Sequence, residues 1–310
     1  MELASVAANA MIKLFIMVLI GFAAAKLNFI QENGTVAIAN LVNKVTNPLK
    51  IFTSYLMVYD AVKFKGLMTS AGLMAIAMVV SIALASIFIR EKGEYWRVER
   101  AAVVLSNCGF MGIPLISAVL GDEAIFYLTG CIMVFNIMAW TYGITVISGR
   151  TSFRDMLRII TSPTVLAIIA GLAVYLLQVP IPEMLSSSLT VVGDCTSPLA
   201  MVCAGATVAR TNLGKTIKRG SSWVVIALRL FICPLAFSVI CLFLNIPDLV
   251  FMTVFIASAC PIATVAVTQA VMENRTPGHV SGLFGMAALL SIGSIPLVII
   301  IQNWIQSIFN

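Results

Sequence analysis

Ser106-Asn107-Cys108-Gly109-Phe110-Met111-Gly112-Ile113-Pro114 interrupts an apolar run near its middle, and Cys260-Pro261-Ile262-Ala263-Thr264 interrupts a second run about 150 residues later. Glycine and proline release backbone N–H and C=O groups from a helix. Hydrocarbon offers those groups no water, so such a break persists only against protein or a water-filled cavity. Interrupted helices at matching positions of two halves of a chain are the pattern of a membrane carrier whose substrate site lies at the breaks.

The rest of the chain suits a bilayer. Of its 310 residues 60% are hydrophobic and only 10% are charged, too few charges to coat a soluble domain. A window of ~20 residues finds ten apolar spans, near residues 5–25, 35–58, 67–89, 100–120, 124–148, 163–178, 186–208, 222–244, 249–271 and 281–304. The expected fold is all-α and integral to the membrane: ten transmembrane helices in two inverted five-helix repeats, with broken, crossing fourth and ninth helices. Residues 1–148 form the first repeat, 149–162 a cytoplasmic connection and 163–310 the second repeat. The connections are too short to hold an appended domain. Ala23-Ala24-Ala25 imitates a signal-peptide cleavage site, but only Glu2 precedes the first span and Lys13 lies inside it, so no cleaved leader is expected. The seven cysteines all fall within spans without metal-site spacing and read as small packing residues.

Lysine and arginine sort by side. The odd-numbered connections carry Arg90, Lys92, Arg97, Arg100, Arg150, Arg210, Lys215 and Arg219 among others, whereas the even-numbered ones carry only Lys63 and Lys65. The positive-inside rule then puts the odd connections in the cytoplasm and both termini outside, in a multi-pass cell-membrane protein. Those loops account for the net charge of +6 and call for no nucleic-acid partner.

The two halves echo each other weakly. Thr46-Asn47-Pro48-Leu49 in the second span corresponds to Thr196-Ser197-Pro198-Leu199 in the seventh, and Ser106 and Cys108 correspond to Ser258 and Cys260. Repeats of five spans each enter the membrane from opposite sides, which makes the fourth and ninth spans antiparallel. At ~1.5 Å per residue, Gly109 to Pro114 lies about 14 to 21 Å into the span, near the centre of a ~30 Å core. Pro261 reaches a similar depth from the other face. Helix N-termini and bare amides converging there suit a carboxylate or another small anion, with Asn107, Gly109, Gly112, Pro114, Pro261 and Thr264 as candidate substrate residues. The alternative is that Gly and Pro simply kink packed helices.

The string SNCGFMGIPL (106–115), the ten spans and the second break in ACPIATVAV (259–267) resemble the auxin efflux carrier family, whose bacterial members are similar in fold to bile-acid sodium symporters. The resemblance implies two crossed helices in a mobile domain that moves as an elevator against a scaffold of the first, second, sixth and seventh spans, often in a homodimer. It also implies a small organic anion as substrate, the auxin anion in plant members and malate, malonate or other carboxylates in bacterial ones, with Asn107 as the polar contact at the crossover. The third span here holds no charge, so no carboxylate there carries over from the plant carriers.

Charges inside the spans are functional candidates by default. Lys50 and Arg229 lie near enough to span exits to snorkel. Lys44 and Lys13 are deeper, and Asp194 is the acid well inside a span. Asp194 is the repeat counterpart of Lys44, so the two are expected to approach, either as a structural pair or as a proton-coupling site. Sodium is the alternative coupling ion, with Thr264, Thr268 and Gln269 offering oxygen ligands, although neither break carries a carboxylate for a hard cation. Asn136 and Tyr127 in the fifth span are further pocket candidates. An embedded enzyme lacks its parts: His279 is the single histidine, and no acidic pair or Cys/His cluster accompanies it. No cofactor is expected.

Overall fold

The computed structural model describes residues 2–150, 161–211 and 213–309, and these are helical apart from short connections and the two breaks. Helix α1 is Glu2–Lys26. Helix α2, residues 32–53, passes through a π-helical turn at Val42–Thr46. Then follow α3 (Ala61–Phe88), α4 (Trp96–Val104), α5 (Gly112–Leu120) and α6, residues 123–148 with a second π turn at Ala139–Gly143. Helix α7 is Pro163–Leu177, α8 runs over 183–210, and α9 is the short Leu213–Ile217. Helix α10, residues 220–241, has a π turn at Leu228–Ile232; α11 is Asp248–Ala259, α12 Thr264–Met272 and α13 Pro277–Phe309.

Among the described residues five helices, α3, α6, α8, α10 and α13, are long and apolar enough to cross a membrane. Of the other expected spans, the first and second fall on α1 and α2, the sixth on the short α7, and the fourth and ninth on the interrupted pairs α4 with α5 and α11 with α12. Large apolar side chains such as Ile12, Ile20, Val79, Ile87, Leu177 and Phe243 lie exposed on the outer faces, as they do when the solvent is lipid.

Two of the π turns have a proline cause. The ring of Pro48 lacks an N–H and would clash with the carbonyl four residues earlier, and Pro234 does the same in α10. One extra residue per turn relieves the clash, and Asn47 N–H and Cys233 N–H reach back five residues to the carbonyls of Val42 and Leu228.

The helices pack in two groups. In the first, α1 lies along the second half of α8, while α7 and the first half of α8 pack on the end of α2. Side chains would keep α1 and α8 apart; two glycines let their backbones touch. A Cβ on Gly21 would stand 2.0 Å from the carbonyl oxygen of Val202, and one on Gly205 1.9 Å from that of Val18. In the second group α3 packs on α6 and α11, α10 on α3, and α13 on α9 and α12. The groups meet where α1 touches α5 and α13 and where α7 touches α6. At that seam buried Tyr55 shares a hydrogen bond with Thr129 and meets Phe126 edge-on at 5.2 Å between centroids.

Candidate functional site

Pro261 ends α11, because it has no N–H to give and the residue before a proline avoids helical backbone; Cys260 is extended at φ −57°, ψ 149°. In the other break α4 ends at Val104, and Leu105 turns to extended backbone. The two extended segments pair antiparallel at Ser106 and Ile262. Asn107 N–H donates to Pro261 O at 2.8 Å and Ala263 N–H to Leu105 O at 2.9 Å. The freed backbone of each break is thus partly satisfied by the other, and the interrupted helices cross where the sequence places them.

Each break has a starting helix on one face and an ending helix on the other. On the starting face a cavity of about 300 Å³ is lined by Gly109, Phe110 and by Ala263, Thr264 and Val265 at the start of α12. The first N–H groups of a helix have no partner within it, so this helix end presents donors to the cavity. Asn107 also lines it and is 3% exposed, its Nδ2 without a hydrogen-bond acceptor. An unpaired buried amide costs about 1–3 kcal/mol, a cost that a bound acceptor would remove. From the first group, α2 contributes Asn43, Lys44 and Asn47, and α7 contributes Pro163 and Thr164; Asn136, Trp140 and Thr268 complete the polar and aromatic lining. Asn47 Nδ2 donates to Gly109 O at 3.1 Å. Lys44 is the one ionisable lining residue, and it has no ion-pair or hydrogen-bond partner among the described residues.

The ending face is closed. Arg229, in the π turn of α10, is 2% exposed. Its Nε donates to Cys260 O at 3.1 Å, and its Nη1 to Val103 O at 2.8 Å and to Val104 O at 3.4 Å. The guanidinium joins the C-terminal ends of α4 and α11. Snorkelling towards an exit is therefore the wrong account of Arg229, because its fork is held by backbone in the interior.

Lys50 departs from that expectation too. Its ammonium lies 2.9 Å from Asp122 and 2.7 Å from Asp194, with 9% of the side chain exposed. Asp194 therefore pairs with Lys50, six residues beyond the expected Lys44. Asp122 belongs to the turn between α5 and α6, so Lys50 ties the two helix groups together about one turn beyond the cavity residue Asn47. Burial opposes ionisation of Asp122, but the Ser117 hydroxyl and the Lys50 ammonium prevail and hold its carboxyl below the usual range.

Of the anticipated residues, Asn107, Gly109, Asn136, Thr264, Thr268 and Lys44 line the cavity together. Gly112 sits behind it, where a Cβ would lie 3.5 Å from Cys260 Sγ, and Pro114 is buried in the first turn of α5. Pro261 lines a separate apolar groove beside Leu14 and Met201. Gln269 is fully buried and does not line the cavity; its amide donates at 2.6 Å to the carbonyl of Ala139, which does. Tyr127 packs against Gly66, and Lys13 is exposed on α1. His279 meets Glu99 at 3.0 Å, remote from the cavity lining. Asn47, Trp140 and Arg229 were not anticipated. Asn47 stood in the repeated Thr46-Asn47-Pro48 signature, whereas Arg229 carried no signal beyond being a charge inside an apolar span.

Paired, interrupted helices beside a cationic cavity mark a membrane transporter. A family model described as membrane transport protein matches residues 6–299, and the chain belongs to this family, that of the auxin efflux carriers. It is similar to an uncharacterized transporter of Methanothermobacter thermautotrophicus, 26% identical over 294 residues that cover 92% of this chain and 95% of that protein. The family is one of transporters, not enzymes.

Proposed function

We propose that this protein is a secondary carrier that moves a small organic anion, a carboxylate, across the cell membrane by alternating access. The observation that carries the reading is the cavity's lining, which among the described residues holds a partnerless lysine, a buried amide donor without an acceptor, a helix N-terminus and no carboxylate. Such a lining repels a cation and satisfies an anion from three sides. Asn107 and the first amides of α12 grip the carboxylate; Lys44 supplies its counter-charge from the opposite helix group.

In this reading the chain spans the membrane ten times as two inverted repeats, 1–148 and 163–310, with both termini outside. The group α3–α6 with α10–α13 moves as an elevator against α1, α2, α7 and α8, whose exposed apolar faces are the surface for a homodimer. The cavity reaches Ser162 and Pro163 next to the basic connection, so the conformation described is open to the cytoplasm. The Lys50 bridge to Asp122 closes the outer side and must break for the outward state.

The anion's own charge couples transport to the membrane potential. A proton-coupled cycle through Asp194 is less supported, since Asp194 is exposed, paired with Lys50 and outside the cavity lining. Sodium symport has less support as well: among the described residues the cavity lining carries no carboxylate for a hard cation and does not include Gln269. The test is purified protein in liposomes, screened with labelled mono- and dicarboxylates under imposed potential, pH and sodium gradients. Saturable uptake that follows the potential and exchanges with internal substrate supports the reading. Flux that never saturates would make the protein a channel.

A further inference from the structure

We infer that Arg229 is a built-in cation that fills the place a dissolved coupling cation would take at the crossover. The breaks leave oxygens from both interrupted segments pointing at one spot: Val103 O and Val104 O at the end of α4, and Cys260 O just past the end of α11. Two negative dipole ends converge there, in an interior with no water to solvate them. Unwound carbonyls and half-helix C-termini are how carriers with broken helices hold a sodium ion. Here the same kind of oxygens are taken by a guanidinium with 2% exposure and no acidic partner among the described residues.

Guanidinium suits the position. It keeps its charge at every physiological pH, is weakly hydrated, and spreads its donors in a plane that reaches several oxygens at once. A bound sodium ion must shed water on entry and can leave on either side of the membrane, which is what makes it a coupling ion. Arg229 can do neither. It is anchored in α10, which packs with α4 and α11 in one helix group, so its charge travels with the crossover in both directions and cancels over a cycle. The inference rests on the carrier reading only for this consequence; the cation's role at the crossover stands without it.

The test uses the purified full-length protein and needs no substrate. Unfolding is followed with a thiol-reactive dye, since six of the seven cysteines are buried, Cys260 among them. At fixed ionic strength the parent's melting temperature is expected to be the same in sodium chloride as in N-methylglucamine chloride. Arg229→Ala is expected to melt roughly 10 °C lower and to recover most of that loss, saturably, in millimolar guanidinium chloride but not in N-methylglucamine chloride. Arg229→Lys keeps the charge but not the fork and should fall between the two. A parent whose melting temperature climbs saturably with sodium would overturn the inference. So would an alanine variant that melts like the parent, or one that neither guanidinium nor sodium restores, since a merely structural arginine behaves in that way. If the alanine variant cannot be purified, the parent's response to sodium and the lysine variant's melting decide: a lysine variant no more stable than the uncharged Arg229→Gln also overturns it.

Discussion

The two faces of the crossover are built from the same pair of broken helices and treat charge in opposite ways. On the face where helices begin, Lys44 stands without a partner beside an open cavity; on the face where helices end, Arg229 is sealed in by three carbonyls. A helix break exposes donors on one side and acceptors on the other. In the proposed function the donor face receives the anion, whereas the acceptor face is occupied by a side chain. The proposed selectivity for anions would then follow from which of the two faces a side chain occupies.

The comparison breaks most completely at Gly112, which separates the faces. A Cβ there meets only ordinary contacts at 3.5 Å, from Cys108 Cβ and Cys260 Sγ, so Gly112→Ala should transport. Gly112→Leu should abolish transport by driving the crossover apart, at a cost of about 1–3 kcal/mol or more. Liposome uptake beside a melting curve checks both, and a Leu variant with normal uptake would show that the crossover tolerates being wedged.

Next comes the vacant face itself. Lys44→Gln should weaken anion binding by about 1.5–3 kcal/mol, an order of magnitude or more in affinity, with the melting temperature unchanged because no partner is lost. Lys44→Arg should restore part of the affinity. Asn107→Ala should cost about 1–3 kcal/mol of binding, and it should leave the free protein no less stable, since the unmet demand of Nδ2 disappears along with the side chain. Equal affinity in either purified variant, measured by competition for labelled substrate, would remove that residue from the site.

The smallest effect is expected at the Lys50 bridge. Asp122 is 64% exposed at its side chain, and an exposed ion pair is worth about 0–1 kcal/mol. Asp122→Asn should shift the population modestly towards the outward state, read as faster labelling of a cysteine introduced at Thr53 from the outside. The carboxyl of Asp122 lies below its usual range in the folded protein, so the bridge should hold at neutral and mildly acidic pH. It should be lost only as pH falls through that lowered value, below the ordinary ~4 of an aspartate. A bridge that opens between pH 5 and 7 in the same labelling assay would contradict this.

The breaks were legible because glycine and proline act on the local backbone: Pro261 ends α11 whatever surrounds it. Asn107 was legible for the same reason, as a polar residue inside a break. The partner of Asp194 was not. Lys44 and Lys50 lie six residues apart on one helix, and the π turn between Val42 and Thr46 changes which way each faces, a rotation that a repeat offset does not contain. Arg229 was misjudged on depth. Distance from a span's end says where a charge could escape to, whereas carbonyls supplied by α4 and α11, far away in sequence, decided that it stays.

A π turn is an α-helix carrying one residue too many, and the one in α2 contains the lysine of the cavity and ends just before the lysine of the bridge. Removing Val45 or Thr46, the residues of the turn that lie between the two lysines, would let α2 close into a uniform helix, with Pro48 then set against the preceding turn. Everything beyond would turn by about 100° relative to what precedes. Either Lys44 would swing out of the cavity or Lys50 away from its two acids, and no side-chain substitution could bring both back. The spacing of these two charges is therefore a property of chain length, and the surplus residue is as much a part of the site as the lysine that lines it.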